Sequence, residues 1–83
     1  MSDMDNINEV DIVNLMIELG INIDKAKIIY DQDFAEIGLD SLDRASLYLG
    51  VVEKYGIEIA EKDLDQLSSV SAVVIYTRGK ILG

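Results

Sequence analysis

The chain offers one short stretch whose residue types and spacing suit chemistry: Asp40-Ser41-Leu42-Asp43, preceded by Gly38-Leu39. A serine directly after an aspartate that can cap a helix sits in the first helical turn. Backbone N–H groups there have no helical partner, and the helix dipole is positive. An anion on Ser41 is favoured at such a place. The competing reading is that Ser41 only shapes the helix start. Most other constellations are absent. There is no histidine, the side chain most used for proton transfer near neutral pH, so no Ser–His or Cys–His pair exists. There is no cysteine, hence no disulfide framework and no thiolate metal site. The six glycines are scattered helix ends and turns, not a phosphate-cradling loop. Asp31-Gln32-Asp33 resembles the start of a calcium loop. Counted from Asp31, however, the sixth position holds Glu36 in place of glycine and the twelfth holds Leu42 in place of glutamate, so no metal site is expected.

The elements that must position Ser41 follow from periodicity and punctuation. The spacing predicts a first helix over about Ile7 to Leu19, capped by Asp5 or Asn6 and stopped by Gly20. Asp11, Asn14 and Glu18 share one narrow strip, and Val10, Ile12, Val13, Leu15, Met16, Ile17 and Leu19 occupy the rest, which predicts packing on several sides. A long connection, Ile21 to Leu39, is rich enough in apolar residues to be pinned to the core, with a helical turn within Asp24–Tyr30. Asp40 then caps a second helix, Ser41 to about Tyr55, closed by Gly56. Leu47, Tyr48, Val51 and Tyr55 give it a core stripe, and Asp43, Ser46, Gly50, Glu53 and Lys54 a polar sector. A second apolar stripe, Leu42, Ala45, Leu49 and Val52, makes this helix either the most buried or the one with a docking face. Ile57-Glu58-Ile59 reads as an extended link, Glu61–Leu67 as a short helix, and Val70 to about Leu82 as the last helix. That last helix takes its cap from Ser68 or Ser69 and its inner face from Val70, Val73, Val74, Thr77 and Ile81. The expected fold is all-α: three main helices and one short one, with a long loop between the first two, in a single domain over residues 1–83.

Composition narrows the partners. Acidic residues outnumber basic ones 16 to 7, giving a net charge of −9. Nucleic acid and anionic membranes are therefore poor partners, and basic protein surfaces are good ones. No apolar run is long enough for membrane insertion, and the leading MSDMDNINE has no targeting pattern, so the expected location is cytoplasmic. A chain of 83 residues has little room for a concave catalytic pocket. An enzyme is not expected; any part in chemistry would use a borrowed reactive group. Ser68, Ser69 and Ser71 also flank a helix start, but none adjoins an apolar stripe as Ser41 does.

These features together resemble an acyl carrier protein. The Asp-Ser-Leu motif at the start of the second helix, the Ile57-Glu58-Ile59 link and the Ser68-Ser69-Val70 approach to the last helix all take part, over nearly the whole chain. The resemblance implies that Ser41 receives a 4′-phosphopantetheine arm, covalently attached from coenzyme A by a magnesium-dependent phosphopantetheinyl transferase. The thiol of that arm carries acyl groups as thioesters. It implies Asp40 and Leu42 as motif neighbours, and Leu42, Asp43, Ala45, Leu49 and Glu53 as contacts for partner enzymes. Those partners would be a ketosynthase, an acyltransferase or an adenylate-forming ligase, visited by a monomeric carrier. Departures from the housekeeping fatty-acid carriers are Arg44 after Asp43, Ser46 and Val52 at positions commonly acidic, Gly50 within the helix and Ala60 for a common proline. They point to a discrete carrier in a specialised pathway, of polyketide or modified-lipid type. An aminoacyl or hydroxyacyl carrier loaded by an adenylating enzyme is the alternative within the class. A small helical interaction domain without prosthetic group is the alternative outside it.

Overall fold

The computed structural model describes residues 7–82. Helix α1 is Glu9–Glu18, α2 is Ser41–Tyr55 and α3 is Val70–Leu82; between α2 and α3 lies a short 3-10 helix, Glu61–Gln66, and a 3-10 turn, Lys25–Lys27, interrupts the long first loop. No strand occurs among the described residues. The architecture is the all-helical bundle that the sequence predicts.

Helix α1 starts later than periodicity suggested. Its cap is Asn8, whose side chain accepts from the Asp11 N–H, while the Asp11 carboxylate accepts from the Asn8 N–H. The reciprocal pair satisfies the Asn8 N–H and gives the Asp11 N–H, which also reaches the Asn8 carbonyl at 3.1 Å, a second acceptor. Asp5 and Asn6, the expected caps, lie outside the described residues. Ile7 is not helical but is buried one position before the cap. At the other end the Ile21 N–H donates to Met16 and the Gly20 N–H to Ile17, with Gly20 at φ 76°. This is the 6→1 and 5→2 closure that left-handed glycine permits.

The core gathers Ile12, Val13, Leu15 and Met16 of α1, Leu47, Val51 and Tyr55 of α2, and Val70, Val73 and Val74 of α3, around Phe34 and Leu67. The expectation that α1 is packed on several sides is not met: Val10, Ile17 and Leu19 are exposed. The apolar arc of α1 exceeds what two helix neighbours cover, and solvent keeps the remainder. Thr77 is fully buried on the inner face of α3.

The long loop is pinned as its composition required. Phe34, Ile21 and Leu39 are buried, and the Phe34 N–H donates to the Ser68 carbonyl at 2.8 Å. The Ser71 N–H reaches back to the Tyr30 carbonyl at 2.8 Å. Both bonds tie the loop to the start of α3, where Ser69 Oγ accepts from the Ala72 N–H. The short segment Glu61–Gln66 is 3-10, and two tyrosines hold it from either side. Tyr48 of α2 donates to the Leu67 carbonyl at 2.6 Å, and Tyr76 of α3 donates to Asp63 at 2.7 Å.

Gly50 does not belong to a polar sector of α2. It is buried, and a Cβ there would lie 2.7 Å from Leu19 Cδ1. The end of α1 crosses α2 at this point, so glycine answers a close approach between helices.

Candidate functional site

The start of α2 is built by the segment before it. Gly38 has φ 102°, a backbone that side chains disfavour, and it turns the loop so that Leu39 drops into the core. Leu39 also donates its N–H to the Phe34 carbonyl at 2.9 Å. Asp40 then caps α2. Its carboxylate accepts from the Asp43 N–H at 2.8 Å, and Asp43 accepts in return from the Asp40 N–H at 3.4 Å. Both acids of the motif are thereby engaged with backbone. Asp40 is exposed and Asp43 half-buried.

Ser41 is the first residue of α2, and its side chain is exposed at the helix's positive end. Its hydroxyl oxygen accepts one bond, from Arg44 Nη2 at 3.2 Å. The hydroxyl caps no backbone group, because Asp40 already does so. Arg44 Nε is buried and has no partner among the described residues. Beside them runs an open groove of about 280 Å3, lined by Ser41, Arg44, Ala45 and Tyr48 of α2 and by Leu64 and Asp65 of the 3-10 helix. Burial pushes the Tyr48 phenol above its usual pKa; Arg44 opposes that shift and Asp33 adds to it.

The second apolar stripe of α2 lies outside the core. Leu42 is 78% exposed and Leu49 is 60% exposed, which decides between the two alternatives in favour of an outward face. Ala45 and Glu53 are exposed on that face, and Val52 is half-buried at its edge. At 100° per residue Leu42, Ala45, Leu49 and Glu53 fall within one sector. Asp43 lies off it, with its carboxylate occupied by the helix cap. The Ser41–Arg44 contact is the feature that sequence reading missed. Its signal was the i, i+3 spacing, which brings the two side chains together on a helix.

A family profile described as "Phosphopantetheine attachment site" matches residues 13–77. The chain belongs to this family. Its relatives include the bacterial acyl carrier proteins of Helicobacter acinonychis, 35% identical over 68% of this chain and 73% of that protein, and of Thermosynechococcus vestitus, 29% identical over 74% and 76%. The mitochondrial acyl carrier protein of Dictyostelium discoideum is 42% identical over 54% of this chain. That match spans only 38% of the Dictyostelium protein. Phosphopantetheine-attachment domains are carriers and not catalysts, and the group they hold is 4′-phosphopantetheine. Mitochondrial and bacterial proteins both occur among these relatives, and the cytoplasmic expectation rests on the sequence alone. Among the described residues no helix is long and apolar enough to cross a membrane.

The start of α2 fits such a group. A phosphoester there needs an exposed hydroxyl free of structural duty, positive groups within reach and room outside the core. Ser41 has the first, the helix end and Arg44 give the second, and the groove gives the third.

Proposed function

We propose that the protein is a discrete acyl carrier whose Ser41 bears the phosphopantetheine arm. The single observation that carries this reading is the exposed Ser41 hydroxyl at the first turn of α2, released from capping by Asp40 and bonded only by Arg44. The arm supplies a thiol that holds acyl groups as thioesters. The chain's own residues have three tasks. Ser41 Oγ forms the phosphodiester with the arm of coenzyme A and displaces its adenosine bisphosphate half, giving up its proton to the transferase. Because Arg44 donates to Oγ, the hydroxyl hydrogen is not spent on that bond, and the guanidinium favours negative charge growing on the oxygen.

The outward face of α2 is the third part. Leu42, Ala45 and Leu49 present apolar area to the transferase and to acyl-loading and acyl-processing enzymes, and Glu53 adds an acidic contact for basic patches. The net charge of −9 steers those encounters. The same face supports a dedicated pathway of polyketide or modified-lipid type, because the exposed Ser46 and half-buried Val52 leave it poorer in acids than a housekeeping carrier's.

The test is an intact-mass spectrum after incubation with coenzyme A, Mg²⁺ and a broad-specificity phosphopantetheinyl transferase, with Ser41→Ala in parallel. One addition of the phosphopantetheine mass is expected for the wild type and none for the variant. The variant keeps wild-type helicity, since Ser41 is exposed and supports no backbone bond. Addition to Ser41→Ala, or none to the folded wild type with several transferases, overturns the assignment. In the latter case the α2 face becomes the surface of an interaction domain without prosthetic group.

A further inference from the structure

Arg44 is out of place for a merely structural residue. It stands in the first turns of α2, where a cation opposes the positive helix end. It has Asp40 and Asp43 in the same turn of a strongly acidic chain, yet among the described residues the one ion pair within 4.0 Å is Lys54–Glu18. Both neighbouring carboxylates are engaged in the reciprocal cap, and the guanidinium turns to the Ser41 hydroxyl instead.

The guanidinium edge presented there carries two donors, Nη2 and Nε, side by side. Nη2 meets Ser41 Oγ at 3.2 Å, while Nε is buried with no partner. A buried idle donor is unfavourable. Two parallel N–H groups match two oxygens of a phosphate, and arginine forms this fork where lysine does not. A hydroxyl brings one oxygen to this edge; a phosphodiester on the same hydroxyl brings more. The groove lined by Ser41 and Arg44 leaves room for them, and Nε, buried here, meets them once the guanidinium turns toward that groove.

We propose that Arg44 is the phosphate clamp of this carrier: its Nη2 and Nε hold the phosphodiester monoanion esterified to Ser41, and so fix the root of the arm against α2. The proposal rests on Ser41 as the attachment point. Clamping also offsets the repulsion that Asp40 and Asp43 exert on a phosphate placed between them.

The experiment uses the ¹⁵N-labelled full chain before and after loading with coenzyme A, Mg²⁺ and transferase, as wild type, Arg44→Gln and Arg44→Lys. Intact mass is read first, then the Arg44 Nε–Hε resonance and the ³¹P signal. In the loaded wild type the Hε resonance moves downfield, and its exchange with water slows roughly tenfold or more, as a charged hydrogen bond implies. The ³¹P signal shifts and broadens in the wild type, and is sharp and displaced in Arg44→Gln. Arg44→Lys falls between, because it keeps the charge and loses the fork. Unchanged Hε exchange on loading, or a ³¹P signal identical in wild type and Arg44→Gln, overturns the clamp while leaving Ser41 in place. A wild type that gains no mass overturns the Ser41 assignment and the clamp with it. A urea transition for each variant shows that the comparison is between folded proteins.

Discussion

Helices α1 and α2 begin with the same device and use it differently. In each, a polar cap and an acid three residues later exchange bonds with each other's backbone N–H: Asn8 with Asp11, Asp40 with Asp43. In each, the residue before the cap is buried, Ile7 in one and Leu39 in the other. They diverge at the first and fourth helical positions. In α1 these are Glu9, half-buried and near Ser71 Oγ at 3.5 Å, and Ile12, fully buried. Ile7 and Ile12 hold the spacing of a hydrophobic staple. In α2 the same positions are Ser41, exposed, and Arg44, which turns to it. One start is closed into the core. The other has lost half its staple and keeps its first side chain in solvent. A helix start becomes available for chemistry when the cap is carried by a different residue and the staple is left incomplete.

The sharpest way to break this contrast is to empty the α1 staple. Ile12→Ala removes a fully buried side chain and should cost about 2–5 kcal/mol of stability. A urea transition measures it. The fraction that remains folded should load at Ser41 as the wild type does. A loss below 1 kcal/mol would mean that the α1 start is no more closed than that of α2.

Next in size are the caps themselves. Asn8→Ala and Asp40→Ala each remove one bond to a backbone N–H and should each cost about 1 kcal/mol. Equal destabilisation is the point of the comparison, because loading then separates them. Asn8→Ala should load at the wild-type rate. Asp40→Ala should load more slowly, since the Ser41 hydroxyl then competes for the freed N–H groups. Equal rates for the two variants would remove the functional distinction.

The course of the chain around these starts was unevenly legible in the sequence. Helix α2 was read to its observed bounds because its punctuation is unambiguous, an aspartate cap and a glycine that reaches φ 65°. At α1 three Asx residues, Asp5, Asn6 and Asn8, compete for the cap, and the buried Ile7 looks helical by hydropathy alone. The deciding signal was Asp11, three residues after Asn8. Periodicity assigned Gly50 to solvent because glycine and polar residues share that sector. Only the crossing of Leu19 over it shows otherwise. Periodicity predicts that Val10, Ile17 and Leu19 are packed, but an apolar residue is not obliged to be buried. The exposure of Leu42 and Leu49 was open for the same reason: a wide apolar arc fits a deep core and a docking face equally well.

The tyrosines near the two starts sharpen the contrast through charge. Burial raises the pKa of both Tyr48 and Tyr55. Around Tyr55, Asp11 and Glu18 add to the rise; around Tyr48, Arg44 works against it. A phenol raised in the folded state adds stability that is complete below its unfolded pKa of about 10, and that is lost as pH rises through the folded value. Alkaline solutions should therefore destabilise the wild type, and Tyr48→Phe less so. At neutral pH Tyr48→Phe should cost about 0.5–1.5 kcal/mol for the lost bond to Leu67. Ultraviolet titration of the phenols separates the charges. Arg44→Gln should move Tyr48 upward, and Asp11→Asn should move Tyr55 downward. Shifts of the same sign in both variants would contradict the charge arrangement at one of the two helix starts.

The smallest expected stability effects come from the second helical positions, where the two starts look most alike. Val10 is 47% exposed and Leu42 is 78% exposed. Val10→Ser and Leu42→Ser should each change stability by no more than about 0.5 kcal/mol, because neither side chain fills the core. Their effects on loading should differ. Leu42 follows the modified serine and shares an outward face with Ala45 and Leu49, so a transferase acting on Ser41 must approach across it. Val10 lies next to a half-buried glutamate that no enzyme needs to reach. Leu42→Ser should lower the transferase kcat/KM severalfold, mainly through KM, since the lost contact is made before the phosphodiester forms. Val10→Ser should leave it unchanged. If both variants load normally, the apolar face of α2 plays no part in recognition by the transferase, and the acidic surface alone must bring the enzymes together.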